Sequence, residues 1–228
     1  MRIVILTGAG VSAESGLGTF RDVGGVWDQY DLARVATPEG FARDRALVHA
    51  FYNERRANMR AARPNAAHHA LARLQQARPG AVTLVTQNID DLHLRAGSPE
   101  VIAMHGALDQ ALCAACGHRW PAPAVMGPDD PCPACGAPET RPDVVWFGEM
   151  PYHMERVDRA LAGADLFVAI GTSGAVYPAA GFVAEAAAHG AGTLEINLAP
   201  SDVADAFDRH HFGPATQTVP AWVATLID

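Results

Sequence analysis

Residues 7–22 read Thr-Gly-Ala-Gly-Val-Ser-Ala-Glu-Ser-Gly-Leu-Gly-Thr-Phe-Arg-Asp. They follow an apolar run, Ile3-Val4-Ile5-Leu6, that reads as a buried parallel strand. Gly8, Gly10 and Ala13 fit the G-x-G-x-x-G/A turn of dinucleotide-binding units. In that turn the glycines allow a tight bend, and backbone N–H groups can approach a pyrophosphate at a helix N-terminus. A standard unit would continue through a full helix to a second strand, with an acidic residue about 20 positions on. Here Gly16, Gly18, Gly24 and Gly25 break the helix almost at once. Between them stands Thr19-Phe20-Arg21-Asp22, an aromatic–cation–anion cluster that reads as a loop folding over a bound cofactor.

The rest of the chain alternates in the same style. Strand patterns occur at 2–6, 82–86, 101–104, 144–146, 166–170 and 193–196, and helical patterns at 38–60, 65–76, 154–162, 178–189 and 220–226. Short apolar strands separated by helices imply an α/β fold, a Rossmann-like parallel sheet with helices on both faces. Two stretches break the rhythm and read as a small lobe: a helical insertion at 38–79 and a Cys-, Pro- and Gly-rich insertion at 113–141. The larger domain then comprises 1–37, 80–112 and 142–228.

Composition narrows the function classes. The chain has 228 residues, 49% of them hydrophobic, and a formal net charge of −8, which fits a globular protein and not a disordered one. No apolar run reaches the ~18 residues of a membrane span, and the first residues lack a signal-peptide layout, so a cytoplasmic protein without a membrane partner is expected. The acidic balance argues against a general nucleic-acid binder. Every one of the 17 Lys+Arg positions is arginine. Cys113-x2-Cys116, fifteen residues, then Cys132-x2-Cys135 matches a four-thiolate zinc ribbon, with all four positions filled by protein and therefore structural.

Polar residues gather at strand ends, where open α/β sheets collect ligands. Gln87-Asn88-Ile89-Asp90, His105-Gly106, Gly171-Thr172-Ser173 and Asn197 each follow a strand pattern. His105, at a strand end before a glycine, is the candidate general base among ten histidines. His93 reads as a residue that packs or caps, and the other eight as surface or packing residues. On the helical insertion, Tyr52 and Arg55 are three apart and share a face. Alone, that pair reads as part of an ordinary amphipathic helix.

Jointly these blocks resemble the sirtuins, NAD-dependent protein lysine deacylases. They are Gly8 to Gly16, Thr19 to Asp22, Gln87 to Asp90, His105-Gly106, the cysteine quartet, Phe147-Gly148-Glu149, Gly171 to Ser173 and Asn197, in family order over almost the whole chain. The Val144 to Glu149 block and the compact length resemble bacterial members of the class III branch. The resemblance implies that NAD+ meets Gly8, Ala9, Gly10, Glu14, Thr19, Phe20 and Arg21 on the cofactor loop. It implies that Gln87, Asn88, Ile89 and Asp90 serve the nicotinamide and ribose, with Asn88 and Asp90 catalytic. Gly171, Thr172, Ser173, Asn197 and Ala215 would take the adenosine end, and one structural Zn2+ would sit on the quartet. Acyl-lysine side chains of proteins or peptides would enter along Val145, Phe147, Gly148 and Glu149. Class III members carry the Tyr-x-x-Arg pair, which implies that Tyr52 and Arg55 receive succinyl and malonyl as well as acetyl groups.

In the family reaction the acyl oxygen attacks the nicotinamide ribose and His105 acts as general base. The products are free lysine, nicotinamide and O-acyl-ADP-ribose. A monomer without a specific nucleic-acid partner is expected. Two other readings compete: a protein ADP-ribosyltransferase, and a non-catalytic zinc-ribbon binding protein.

Overall fold

The computed structural model describes residues 1–18 and 31–227. Its centre is a six-stranded sheet of β1 (Ile3–Thr7), β2 (Val82–Thr86), β3 (Ile102–Ala103), β7 (Leu166–Ile170), β8 (Gly192–Asn197) and β9 (Arg209–Phe212), all pairings parallel, in the order β3-β2-β1-β7-β8-β9. The chain builds outward from β1 to β3 on one side, then returns to β7 on the other. The order therefore reverses between β1 and β7, and ligands of open α/β sheets bind outside the strand C-termini at such a point.

Alternation along each strand feeds two cores. Ile3, Ile5, Leu84, Val168, Ile170, Leu194 and Ile196 face one layer, covered by α5 (Ala66–Ala77) and α9 (Ala215–Ile227). Val4, Leu6, Val85, Phe167 and Ala169 face the other, covered by α7 (Met154–Ala162) and α8 (Phe182–Ala188). Burial on both faces is why these strands read as continuous apolar runs. No helix among the described residues is long and apolar enough to cross a membrane.

A second sheet, antiparallel, has the order β5-β4-β6 from β4 (Gly106–Cys113), β5 (Arg119–Pro121) and β6 (Thr140–Val144). Beside it lie α2 (Leu32–Val35), α3 (Pro38–Arg43) and α4 (Arg45–Ala61), while the short α1 (Gly10–Ala13) and α6 (Leu92–Arg95) follow β1 and β2. Val35, Phe41, Val48, Phe51, Tyr52, Met59, Leu108, Val144 and Trp146 share one core there.

The structure corrects several expectations. The strand expected at 144–146 is instead β6, which ends at Val144 and pairs with β4 outside the parallel sheet. The helix expected over 38–60 breaks at Asp44, which closes α3 and caps α4 by accepting from the Leu47 N–H at 2.9 Å. The helical stretch 38–79 does not act as one insertion: Ala67, Ala70, Leu71 and Leu74 of α5 pack on the parallel sheet. Likewise the small sheet begins at Gly106, before the first cysteine. Proline favours the first helical turn, yet α9 starts five residues before Pro220. Glu14 caps it from across the fold, its carboxylate accepting from Thr216 N–H at 3.0 Å and Thr216 Oγ1–H at 2.7 Å.

Candidate active site

The glycine turn follows β1 at the point where strand order reverses. Its glycines serve close packing. A Cβ on Gly8 would lie 2.7 Å from the Gly171 carbonyl oxygen, and one on Gly10 would lie 2.8 Å from Gly171 Cα. The Gly8 N–H donates to Ile170 O at 3.0 Å and the Gly10 N–H to Gly171 O at 2.8 Å. These two donors are thus spent inside the fold. Their role is to lock the turn after β1 onto the turn after β7.

A buried polar network lies beneath this turn. Asn65 N–H donates to His68 Nδ1 at 3.3 Å, so the neutral ring carries its proton on Nε2. That nitrogen faces Ser12 Oγ at 3.3 Å, and Ser12 donates in turn to Asp90 Oδ2 at 3.0 Å. Asn88 Nδ2 donates to Gly8 O at 3.1 Å and to Ser12 Oγ at 3.2 Å. Burial pushes the Asp90 carboxyl up, against the Leu92 N–H and the Ser12 hydroxyl, which pull it down. A parallel chain runs from His93 Nε2 to Thr7 Oγ1 at 3.0 Å and from Thr7 to Thr86 Oγ1 at 2.9 Å, and Thr86 Oγ1 also accepts from Asn88 N–H at 3.0 Å. Burial holds His68 down to about 4 and His93 to about 3, so both rings are neutral at pH 7.

His105 Nδ1 lies 3.0 Å from the Gln87 carbonyl. A carbonyl only accepts, so Nδ1 carries the hydrogen and Nε2 is the basic nitrogen. Burial lowers the ring below its ordinary 6.5, partly offset by that hydrogen bond.

On the small-lobe side, Tyr52 and Arg55 line the same cavity as His105. Burial pushes the Tyr52 phenol up to about 12, and it lowers the half-buried Arg55 guanidinium, which Tyr52 and Asp90 pull back up. Trp146 Nε1–H donates to Tyr52 Oη at 3.0 Å. Val145 N–H donates to His105 O at 2.9 Å, and Phe147 N–H to Ala36 O at 2.9 Å. Those two amides are therefore engaged by the protein itself.

One cavity of about 750 Å³ joins the glycine turn, Asn88, Asp90, His105 and the Tyr52–Arg55 pair. Its wall includes Gly8, Ala9, Gly10, Glu14, Gln87, Asn88, Ile89, Asp90 and His105, then Gly171, Thr172, Ser173, Asn197 and Ala215, and at the other end Tyr52, Arg55, Val145, Trp146, Phe147, Gly148 and Glu149. The Sir2 family profile matches residues 8–178. The chain belongs to the Sir2 family. A relative from Caulobacter vibrioides named NAD-dependent protein deacylase is 58% identical over 231 residues, covering 100% of this chain and 97% of the relative. A solved Sir2 homologue–NAD complex superposes with a TM-score of 0.91 at 37% identity, covering 99% of this chain and 89% of that one. A Sir2 homologue bound to 2′-O-acetyl ADP-ribose gives 0.90 at 36%, covering 99% and 91%.

Within this Sir2 chain the expected site residues fall in one place, with a few differences of detail. Glu14 lines the cavity but spends its carboxylate on Thr216. Asn197 Nδ2 donates to Thr172 O at 2.8 Å, and Gln87 Nε2 to Thr172 Oγ1 at 3.0 Å, so both also shape the loop after β7. Thr19, Phe20 and Arg21 lie outside the described residues. Sequence reasoning left Ser12, His68 and Trp146 without roles. Ser12 stood inside a matched block, whereas nothing local marked His68, whose partner Ser12 is 56 residues away.

The Sir2 chain also brings its four cysteine sulfurs within 4.8 Å of one another. Cys113–Cys135 and Cys116–Cys132 stand 3.7 and 3.8 Å apart. A tetrahedron of Zn–S bonds has sulfur edges of about 3.8 Å, so the quartet fits one zinc ion. Gly117 and Gly136, after each pair, have φ of 73° and 75°, the left-handed region a knuckle turn needs.

Proposed function

We propose that this chain is an NAD-dependent protein-lysine deacylase that uses succinyl- and malonyl-lysine as well as acetyl-lysine. The observation that carries the reading is the single cavity joining the β1 turn, Asn88 and Asp90, His105, and the Tyr52–Arg55 pair. NAD, when bound, supplies an electrophilic ribose carbon with nicotinamide as its leaving group. Asp90 and the amides of Gln87 and Asn88 would offer oriented negative potential to positive charge developing on that ribose. Ser12, tied to His68, would hold Asp90 in place. His105 would accept a ribose hydroxyl proton at Nε2, since Nδ1 is committed to Gln87 O. A deeply placed neutral imidazole suits this task because burial lowers its pKa and keeps it unprotonated at neutral pH.

The acidic-acyl preference draws support from the other end. Arg55 presents a planar guanidinium and Tyr52 a protonated phenol, a pair suited to a carboxylate. The 145–149 segment would guide the substrate peptide, with backbone groups other than the paired Val145 and Phe147 amides. The net charge of −8 favours a protein substrate over nucleic acid. We infer two lobes, with the zinc ribbon and α2–α4 forming the smaller.

Incubation with NAD and a succinyl-lysine peptide tests the reading. Free lysine peptide with O-succinyl-ADP-ribose is the expected result. ADP-ribose retained on protein would point to ADP-ribosyl transfer, and no nicotinamide release would overturn catalysis. Charge-assisted hydrogen bonds contribute about 1.5–3 kcal/mol each. Arg55→Met is therefore expected to lower the succinyl-to-acetyl ratio of kcat/KM by more than about tenfold.

A further inference from the structure

Trp146 is held more tightly than a cavity wall requires. The Arg141 guanidinium lies 3.4 Å from the centre of its ring. Arg141 is fixed in turn by Glu149, donating from Nη1 to Oε1 at 2.6 Å and from Nη2 to Oε2 at 2.9 Å, and by Val144 O at 2.8 Å. Glu149 Oε2 also accepts the backbone N–H of Trp146 at 2.8 Å. Phe41 also packs against it, its ring centre 5.2 Å away. The indole is buried, and its one polar atom, Nε1–H, donates to Tyr52 Oη at 3.0 Å.

That hydrogen bond has a direction. An indole nitrogen can only donate, whereas a phenol can donate or accept. Trp146 therefore occupies an acceptor site on Tyr52 and leaves the phenol hydrogen for another partner. Among the described residues Tyr52 Oη has no second hydrogen-bond partner. Burial keeps the phenol protonated, so that hydrogen is present at neutral pH. The free donor sits on the cavity wall one helical turn from Arg55.

We propose that Trp146 is a positioning residue for acyl specificity: its indole N–H commits Tyr52 to donate a hydrogen bond to an acyl chain that ends in a carboxylate. The inference rests on the acidic-acyl reading above. An acetyl group carries no acceptor at its far end, so its recognition does not draw on this bond. Trp146→Phe keeps an aromatic ring beneath Arg141 and removes the N–H.

The test compares succinyl- and acetyl-lysine peptides with the full-length, zinc-loaded enzyme. Trp146→Phe is expected to lower the succinyl-to-acetyl ratio of kcat/KM about three- to tenfold, the scale of one neutral hydrogen bond. The change should appear in KM for the succinyl peptide. In a Tyr52→Phe background the same substitution should cost nothing further, because the two act as one unit. Equal losses on both peptides, or a succinyl loss that persists with Phe at position 52, would overturn the proposal. A check independent of any change at 146 is the indole N–H resonances of Tyr52→Phe. One is expected to shift, and none shifting means the bond is absent. Arg55→Met, run alongside, separates the two ideas. A selectivity loss in Arg55→Met with none in Trp146→Phe overturns the Trp146 role alone. No loss in Arg55→Met overturns the acidic-acyl reading and this inference with it.

Discussion

At one end of the cleft backbone meets backbone; at the other, side chain meets side chain. The β1 turn and the β7 turn are joined by Gly8 and Gly10 amides at 2.8–3.0 Å, with no room for a Cβ between them. The Tyr52 end is held by Arg141 stacked on Trp146, by Glu149, and by one indole–phenol hydrogen bond. The first arrangement is tied to sheet register and has no adjustable part. The second is built of side chains, so one substitution can alter it while the backbone stays put.

The largest test of this contrast lies in the zinc ribbon, whose Met126 carbonyl accepts from Asn53 Nδ2, next to Tyr52, at 2.8 Å. Structural zinc contributes about 10–16 kcal/mol in small zinc-finger peptides. Chelating it from the full chain is expected to abolish turnover and to expose β5 and residues 113–141 to hydrogen exchange, while β1, β2 and β7 stay protected. Equal loss of protection in both sheets would show that the two regions fold as one unit.

His105→Ala comes next, where the two ends meet. It should cut kcat at least about a hundredfold, with NAD affinity measured by calorimetry unchanged. Turnover near that of the unaltered enzyme would remove His105 from the chemistry.

Gly10→Ala attacks the backbone end directly. Its Cβ would meet the main chain of Gly171 at 2.8 Å, and main chain cannot rotate away. A loss of about 1–3 kcal/mol in unfolding free energy is expected, with weaker NAD binding but an unaltered succinyl-to-acetyl ratio. A changed ratio would mean the two ends are coupled.

The smallest effects concern pH. His105 is lowered below 6.5, so the acid limb of kcat/KM should fall with a midpoint below that value, and activity should be level above it. His68 and His93 affect stability. Their folded values, about 4 and about 3, lie below the ordinary 6.5. Between those values and 6.5 the unfolded chain binds more protons than the folded one. Stability therefore drops as pH falls below 6.5, by about 1.4 kcal/mol per pH unit for each ring, and shows no dependence on them above it. Thermal unfolding across pH 4–7 measures this, and His93→Gln should flatten the slope.

Much of the backbone end was legible because its signals are local. Ile3-Val4-Ile5-Leu6 is apolar throughout since both faces of β1 are covered, and the glycines follow directly. The cysteine spacing encodes a tetrahedron within 23 residues. Less was legible where contacts, not periodicity, shape an element. β9, Arg209–Phe212, is exposed along its length and carries no apolar pattern. β4 hides its alternation behind a register shift between Gly106 and Ala111. α9 begins early because Glu14, about 200 residues away in sequence, supplies its cap.

By itself the sequence determined the parallel sheet, the zinc site, the family and which residue types gather at the strand ends. Those features depend on side-chain period and on spacings a local stretch can hold. Only the tertiary structure decided which nitrogen of His105 is basic, which way the His68–Ser12–Asp90 chain runs, and that Trp146 directs Tyr52. Each of those depends on a donor finding its acceptor across the fold, as Trp146 finds Tyr52 from 94 residues away. Hydrogen-bond direction is set by that meeting and by nothing in the neighbouring sequence.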